Sequence, residues 1–425
     1  MEQTVADTYE VGDMPPLGQT PRKMYAWVTR PERYGEPMES FKVETVEVPE
    51  PGDDEALIYN MAAGVNYNGV WAGRGKPVDV IANRRRNGDT KAFQICGTDA
   101  SGIVYKVGKN VRNIKVGDRV VVYGSQWDAD CPHILAGGDP VCSSTYRVWG
   151  YETNWGSFAQ FSLVQAHQCF PKPAHLTWEA AASYMASAAC SYRMLHHWHE
   201  NAVRPGDVVL VWGGAGGVGC MAIQFARDAG AVPVAVISDQ SKADFCMKLG
   251  AAGCIDRTNF DHWGKLPPLD DEAAYNLWLR GSGVDGKAGV LGFRRAIWKA
   301  AGKRCSPRII IEHPGEATIP TSMFVCDAGG MVVICAGTSG YAGSMDLRYT
   351  WMHQKRFQGS HAADDTDAKT CNDLIIAKRA DPCLSRTFLW DELPVAHQLM
   401  ADNRHPAGNM AVLVGAPRPD MGVGE

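Results

Sequence analysis

Residues 208–242 read VVLVWGGAGGVGCMAIQFARDAGAVPVAVISDQSK, and this stretch decides the fold of the second half of the chain. An apolar strand, Val208 to Trp212, runs into a glycine-rich turn, and the turn is followed by a predicted helix from Val218 to Ala229. Val232 to Ile237 then reads as a second apolar strand. A strand, a helix and a strand in this order predict a βαβ unit and therefore a parallel sheet.

The glycine turn carries the strongest local motif in the chain. Gly214, Gly216 and Gly219 have the G-x-G-x-x-G spacing between a strand and a helix. Such a turn lets the backbone approach a pyrophosphate and aims the N-terminus of the helix at its negative charge. The motif predicts a dinucleotide site, and a glycine-rich turn without a ligand is the structural alternative. The cofactor-binding residues predicted in this turn are Gly214, Ala215, Gly216, Gly217, Val218 and Gly219.

The end of the second strand decides which nicotinamide cofactor fits. A carboxylate at this place accepts the ribose hydroxyls of NAD, whereas NADP needs cations and hydroxyls for its 2′-phosphate. Ser238 and Lys242 favour the phosphate and Asp239 opposes it, although Ser238 and Asp239 could simply cap the next helix. The local residues therefore favour NADP. The predicted cofactor-binding set also includes Ser238, Lys242, Ala336, Gly337 and Thr338.

The composition predicts a large soluble enzyme. With 425 residues, 45% of them hydrophobic and 21% charged, the chain can bury the cores of two or three domains. A net charge of −5 gives little support for nucleic-acid binding. The thirteen cysteines contain no CxxC pair, which indicates reduced thiols. Because Met1–Glu10 is acidic and polar, unlike a leader, and no apolar run could span a membrane, we expect a cytoplasmic protein.

The pattern of predicted elements changes near residue 185. Before it, short β-rich runs punctuated by glycine predict an irregular, barrel-like β domain. After it, strands and helices alternate, which predicts a doubly wound parallel sheet, interrupted by a Trp- and Leu-rich insertion at about 258–303. We therefore predict an α/β fold with a β-rich domain at 1–185 and 366–425. A nucleotide-binding domain occupies 186–365 in this prediction.

A β-rich domain followed by this glycine turn resembles the medium-chain dehydrogenase/reductase superfamily. The resemblance implies a GroES-like first domain and a Rossmann second domain. Zinc-dependent members carry a Gly-His-Glu segment where this chain reads Gly97-Thr98-Asp99, and Cys131 and Cys142 lack the partners of a four-cysteine zinc site. We therefore predict no metal and place the chain with the zinc-free reductases, which act on polarised carbon–carbon double bonds.

Several longer stretches resemble the crotonyl-CoA carboxylase/reductase family, in the same order along most of the chain. They are MAAGVNYNGVW at 61–71, WGYET at 149–153, EHPGE at 312–316, RYTWM at 348–352 and QKRFQGSH at 354–361. The resemblance implies that NADPH gives a hydride to the β-carbon of a short-chain enoyl-CoA and that the resulting enolate attacks carbon dioxide. Conversion of crotonyl-CoA to ethylmalonyl-CoA is the type reaction. The family also implies a homotetramer.

The carbon dioxide pocket of the family falls on Asn68, Tyr151, Glu152 and His361. The resemblance implies that Asn68 donates its side-chain amide to one oxygen of carbon dioxide. It further implies that His361 acts directly or through a water oriented by Glu152, and that Tyr151 walls the pocket. Each has a structural alternative: Asn68 as a turn residue at a strand end, Tyr151 and His361 as core, and Glu152 as a surface carboxylate.

The CoA moiety needs cations at the mouth of its pocket because it is a polyanion. Arg348 and Tyr349 match the CoA-contacting segment of the family and are the predicted substrate-binding residues. Lys355 and Arg356 lie nearby in the sequence and either serve the same purpose or form a solvated face. The basic run Arg84–Arg86 could also touch phosphate or be simply exposed.

Two other functions stay open at this point. The first is a plain enoyl- or acryloyl-CoA reductase, in which water protonates the enolate before carbon dioxide captures it. The second is a non-catalytic nucleotide-binding member of the superfamily. Departures from the family pattern at Cys190 and Ala362 leave the preferred acyl chain open.

Overall fold

The computed structural model describes residues 6–424, which form two compact units. The first unit comprises the chain up to Ala186, then Ala362–Lys378 and the chain from Pro382 onward. The second unit comprises Ser187–His361 and Arg379–Asp381. The first five residues of the acidic start Met1–Glu10 lie outside the described residues, as does Glu425 at the end of the predicted β-rich domain.

The strands are short, apart from one long strand in the first unit. In chain order they are β1 (Lys23–Thr29), β2 (Lys42–Glu47), β3 (Glu55–Val65), β4 (Gln94–Ile95), β5 (Ala100–Val107), β6 (Arg119–Val122), β7 (Ser125–Gln126), β8 (Arg147–Val148), β9 (Phe161–Gln165), β10 (Cys169–Pro171), β11 (Val208–Val211), β12 (Val232–Ile237), β13 (Gly253–Asp256), β14 (Ile309–Glu312), β15 (Met331–Ile334), β16 (Arg356–Gly359), β17 (Leu384–Phe388) and β18 (Asn409–Leu413).

The α-helices are concentrated in the second half of the chain. In chain order they are α1 (Pro37–Ser40), α2 (Tyr67–Arg74), α3 (Val80–Arg86), α4 (Pro132–Leu135), α5 (Trp178–Ala182), α6 (Met185–His196), α7 (Gly217–Asp228), α8 (Ala243–Leu249), α9 (Glu272–Arg280), α10 (Val290–Ala300), α11 (Ile319–Val325), α12 (Leu347–Met352), α13 (Asp365–Ile376) and α14 (Leu393–Ala401).

The first unit is built around strand β3, whose residues after Glu55 are all buried. Its sheet has the order β10-β6-β5-β3-β18-β17, and β9 also pairs with β3. A second sheet has the order β2-β1-β4. Strand β3 pairs with β5 through two register shifts, and irregularities of this kind bend a strand. The result is the irregular β-rich architecture that the glycine-punctuated runs predict, closed by the C-terminal strand β18 against β3.

The second unit contains a parallel six-stranded sheet of order β13-β12-β11-β14-β15-β16. The four residues of β11 are all buried, as expected for a strand with helices on both faces. The strand order reverses between β11 and β14. At such a switch point the loops leaving the carboxyl ends of the two strands diverge and open a crevice for a ligand. The predicted doubly wound sheet is therefore confirmed.

The insertion predicted at 258–303 forms helices α9 and α10 and belongs to the core of the second unit. Phe293 of α10 stacks on Trp212 at the end of β11, with ring centroids 5.5 Å apart and planes 15° apart. Phe260 meets Phe293 edge-on at 5.2 Å. The aromatic side chains of the insertion thus cover the strand that leads into the glycine turn.

Within residues 6–424, no helix has the length and apolar character that a membrane crossing requires.

We expect Phe293→Ala to destabilise the second unit strongly. Phe293 is fully buried, so its removal leaves a cavity and costs about 3–5 kcal/mol of unfolding free energy. Leu277→Ala, on the exposed side of α9, is the control and should change this free energy by less than about 0.5 kcal/mol. Urea unfolding followed by tryptophan fluorescence measures both. Equal effects of the two substitutions would contradict the packing role of the insertion.

Candidate active site

The glycine turn of the second unit joins β11 to helix α7, which begins at Gly217 with Gly216 as its N-cap. A Cβ atom on Gly219 would lie 2.2 Å from the Gly213 carbonyl oxygen, and one on Gly214 would lie 2.7 Å from the Ala235 Cβ. A Cβ on Gly216 would meet only the Gly213 oxygen, at 3.4 Å. Gly214 and Gly219 are therefore needed for packing, while Gly216 leaves the backbone at the helix start accessible.

Helix α7 supplies the electrostatic part of this site. The N–H groups of its first turn, from Gly217 to Gly219, have no acceptor within the helix. Together with the helix dipole they favour a negatively charged group in front of the turn. The turn thus has the steric and electrostatic properties of a pyrophosphate site, as its sequence predicts.

Two further loops meet the glycine turn at the carboxyl edge of the sheet. His313, after β14, lies against Gly213, where a Cβ would come within 2.3 Å of the His313 Nε2 atom. The backbone N–H of Thr338, after β15, donates to the His313 carbonyl at 3.2 Å. The structure therefore brings the predicted segment Ala336–Thr338 to the loop after β14, at the switch point of the sheet.

At the end of β12, Asp239 caps the turn that follows, which is one of the two roles that the sequence leaves open for it. The Asp239 carboxylate accepts the backbone N–H of Ser241 at 2.8 Å and caps the short 3₁₀ turn Gln240–Lys242. This hydrogen bond lowers the pKa of Asp239. Asp239 is thus engaged with its own backbone, while Ser238 and Lys242 remain partly exposed at the strand end.

The first unit holds three of the four predicted carbon dioxide residues. Asn68 lies in the first turn of helix α2, three residues after the end of β3. The Asn68 side-chain amide donates to the Thr98 hydroxyl at 3.1 Å. Because an amide nitrogen carries two hydrogens, one N–H remains for another acceptor.

Tyr151 and Glu152 lie in the turn after β8, and Tyr151 is near the same helix. Its ring is 6.5 Å from that of Trp71 in α2, and it is half-buried against a hydrophobic cluster. The Glu152 carboxylate accepts the Val148 backbone N–H at 2.8 Å, which fixes the turn that carries Tyr151. Glu152 is therefore part of the local structure of this turn and not a free surface carboxylate.

His361, the fourth predicted residue, ends the longer segment of the second unit, two residues after β16. It is exposed, which rules out the core alternative for this histidine. Asn68, Tyr151 and Glu152 are thus grouped around helix α2 in one unit, and His361 belongs to the other.

The predicted CoA segment forms helix α12 of the second unit. Arg348 is about half exposed and forms an ion pair with Asp346 at 2.7 Å, and Asp346 also caps the helix. The Tyr349 hydroxyl lies 3.4 Å from that of Tyr275 in the insertion. Arg348 is therefore accessible to an anion, and Tyr349 links its helix to α9.

Two other basic residues that could have bound phosphate, Lys355 and Arg84, are buried. Lys355 is buried, and its ammonium group donates to the Met323 and Phe324 carbonyls near the end of α11. Arg84 is buried as well, bound to Asp89 and the Gln94 side chain. Each side chain satisfies backbone or side-chain acceptors inside its own unit, so neither is free for a ligand.

Comparisons with known proteins agree with this geometry. Residues 52–174, within the first unit, match the alcohol dehydrogenase GroES-like domain. Over 415 residues the chain is 50% identical to the crotonyl-CoA carboxylase/reductase of Cereibacter sphaeroides, an alignment that covers 98% of this chain and 93% of that protein. The chain belongs to the crotonyl-CoA carboxylase/reductase family.

Solved structures of the family have the same fold. The crotonyl-CoA carboxylase/reductase AntE in complex with NADP matches with a TM-score of 0.92 at 53% identity, over 97% of this chain and all of that one. The 2-octenoyl-CoA carboxylase reductase CinF in complex with NADP and 2-octenoyl-CoA matches with a TM-score of 0.85 at 32% identity, over 95% and 91% of the two chains. The predicted family and fold class are therefore confirmed.

Two buried carboxyl groups in this family member were missed as functional candidates. Asp99 is fully buried just before β5, and burial raises the pKa of its carboxyl to about 8. Glu312 is fully buried at the end of β14 and accepts from the Ser322 and Thr318 hydroxyls at 2.6 and 2.8 Å. Burial raises the pKa of Glu312 to about 7. In the sequence, burial of Asp99 and Glu312 is indicated only by their positions at the edges of apolar runs.

We expect Gly219→Ala to destabilise the second unit, because its methyl group has no space against the Gly213 carbonyl. Overpacking of this kind costs about 1–3 kcal/mol. Gly216→Ala is the matched control and should unfold close to the wild-type temperature, since its methyl group meets a single atom at 3.4 Å. Calorimetry of both variants without nucleotide tests this. Equal melting temperatures for the two variants would show that the contact between Gly219 and the Gly213 carbonyl does not restrict the size of residue 219.

We expect Asp99 to make stability fall as pH rises toward its folded-state pKa of about 8. Its folded-state pKa of about 8 exceeds the value of about 3.9 for an unfolded aspartate. Between these values the folded protein keeps a proton that the unfolded chain has released, so the Asp99 contribution to unfolding free energy falls as pH rises. Between about pH 4 and pH 8, wild type should therefore lose more stability with rising pH than Asp99→Asn, and above about pH 8 the difference should level off. Glu312 titrates in both proteins, so parallel curves would contradict the assignment.

Proposed function

We propose that the protein catalyses the NADPH-dependent reductive carboxylation of a short-chain enoyl-CoA, with crotonyl-CoA to ethylmalonyl-CoA as the type reaction. The observation that carries this proposal is the hydrogen bond from the Asn68 amide to Thr98. Thr98 stands where zinc-dependent relatives have a histidine, and a threonine hydroxyl is not among the usual zinc ligands. A neutral amide with one free N–H suits a weak acceptor such as an oxygen of carbon dioxide.

The second unit fits a dinucleotide without rearrangement of its glycine turn. Gly214, Gly216 and Gly219 form a cradle that side chains would fill, and the start of α7 faces it. Ser238 and Lys242 would hold the 2′-phosphate, since Asp239 is engaged by Ser241. When bound, NADPH supplies the hydride for the β-carbon of the substrate. Ala336, Gly337 and Thr338 would border the nicotinamide half from the neighbouring loop.

The fate of the substrate after reduction is decided by the residues around helix α2. The enolate carries its electron pair on the α-carbon and the thioester oxygen. If this carbon attacks carbon dioxide, a carbon–carbon bond forms and the negative charge moves to the new carboxylate. If water protonates it, the product is the saturated thioester. A fixed donor on carbon dioxide and a site that excludes water both favour the first outcome.

The other pocket residues complete this assignment. Tyr151 would wall the site beside Trp71, and the turn that carries it is fixed by Glu152 through Val148. The second Glu152 oxygen and the exposed His361 would order a water near carbon dioxide. Arg348 and Tyr349 would meet the CoA moiety. A homotetramer and a cytoplasmic location remain predictions from the sequence.

Plain enoyl-CoA reduction is the second candidate function. It is favoured by the engagement of the Glu152 carboxylate in its own turn, because the oxygen that accepts the Val148 N–H is not available to a carbon dioxide pocket. One assay separates the candidates: NADPH oxidation with crotonyl-CoA, with and without bicarbonate, followed by mass analysis of the products. Saturated thioester alone under bicarbonate would refute carboxylation. Absence of turnover with any enoyl-CoA would instead support a non-catalytic nucleotide-binding protein.

We expect Asn68→Leu to divert the reaction from carboxylation to simple reduction. Leucine has a similar size but no N–H, and loss of one oriented donor costs about 10²–10³-fold in the step it serves. The ratio of carboxylated to saturated product should fall accordingly, while NADPH is still oxidised. Asn110→Leu, on an exposed loop of the same unit, is the control and should keep the wild-type ratio. If Asn68→Leu slowed both products equally, Asn68 would have a structural or thioester-binding role.

A further inference from the structure

Asp99 is a buried carboxyl group that the proposed reaction does not use. It lies immediately before β5 and is fully buried in the first unit. A Cβ atom on Gly64, in the neighbouring strand β3, would come within 2.7 Å of the Asp99 Cβ. The backbone on this side therefore leaves no space for another side chain. A carboxyl group in such a place is expensive to bury unless its oxygens accept hydrogen bonds.

Both oxygens of Asp99 bind the beginning of a helix. One accepts the Asn66 side-chain amide at 3.0 Å, and Asn66 is the N-cap residue of α2. The other accepts the backbone N–H of Ala186 at 2.6 Å, in the first turn of α6. Asp99 thus ties the starts of two helices to the start of strand β5.

The bond to Asn66 changes how helix α2 begins. An asparagine at the N-cap normally turns its side-chain oxygen back onto the N–H groups of its own helix. Here the Asn66 side chain makes no capping bond, and its amide nitrogen donates to Asp99. The direction of the first turn, which contains Asn68, therefore depends on a partner outside the helix.

Thr98 holds the same turn from the adjacent position. Its hydroxyl, almost fully buried, accepts the Asn68 amide at 3.1 Å. Two consecutive residues, Thr98 and Asp99, thus bind Asn68 and Asn66, which are two residues apart. This double attachment fixes both the backbone and the side chain that carry the free Asn68 N–H.

We infer that Asp99 is a positioning residue which, together with Thr98, aims Asn68 at the carbon dioxide molecule that captures the enolate. This inference rests on the proposed function. Asp99 acts through Asn66 and helix α2 and does not touch the substrate itself. Its effect belongs to the branch after reduction, where carbon–carbon bond formation competes with protonation by water.

The competition between carboxylation and protonation can be measured as a product ratio, which a purely structural role of Asp99 would not change. We would measure the ratio of carboxylated to saturated product from crotonyl-CoA at saturating NADPH and bicarbonate. For Thr98→Val, which keeps the branched shape but loses the hydroxyl, we expect this ratio to fall about tenfold or more, the order of loss that a misplaced group produces. Thr98→Ser restores the hydroxyl and should recover most of the ratio.

Asp99→Asn tests the carboxyl group directly. An amide at this position must present one N–H₂ group to the Asn66 amide or to the Ala186 N–H, so one of the two bonds is lost. The product ratio should again fall about tenfold. Glu179→Gln is the matched control: Glu179 is a buried carboxylate of the same unit that accepts the Asp420 backbone N–H, and its replacement should leave the ratio unchanged.

Each result decides the inference. A lower ratio in Thr98→Val and Asp99→Asn, with wild-type ratios in Thr98→Ser and Glu179→Gln, supports it. Wild-type ratios in the first two variants would falsify it while leaving the proposed function intact. If Asp99→Asn does not fold, Thr98→Val and its serine rescue decide alone. Saturated product alone from the wild type would overturn the proposed function and this inference with it.

Discussion

The close approach of two backbone segments in the second unit is the constraint on which its site depends. The first turn of α7 at Gly219 lies against the Gly213 carbonyl, and Gly214 lies against β12. No residue with a side chain fits at these two glycines without moving the helix away from the sheet. This contact brings the start of α7 to the carboxyl end of β11, where the strand order reverses. The glycines therefore allow the close packing, and the start of the helix has the partial positive charge that favours an anion.

In the first unit, side-chain hydrogen bonds hold the Asn68 amide in place. Zinc-dependent members of the superfamily use a histidine where this chain has Thr98. In this chain the threonine hydroxyl fixes the amide of Asn68, and the buried Asp99 fixes the residue that starts the same helix. Hydrogen bonds within a dry interior are strong and directional enough to orient such a group.

Buried ionisable groups recur beside both sites. Burial raises the pKa of Asp99 to about 8 and that of Glu312 to about 7, and it lowers the pKa of His313 to about 4. Each group is kept by specific partners: Asn66 for Asp99, Ser322 for Glu312 and the Trp212 carbonyl for His313. Such groups lower stability unless their partners are present, and each of these three has one.

The sequence by itself determined the parallel sheet, the glycine turn and the family, because local periodicity and contiguous motifs contain that information. Strand β12 at Val232–Ile237 has the predicted bounds. Only the tertiary structure decided which polar groups are satisfied and by what. It placed Asn68 in a helix, committed Asp239 to a cap and buried Lys355, and it joined Asp99 to a residue 33 positions away. These outcomes depend on contacts between segments distant in the chain, and no local pattern encodes such contacts.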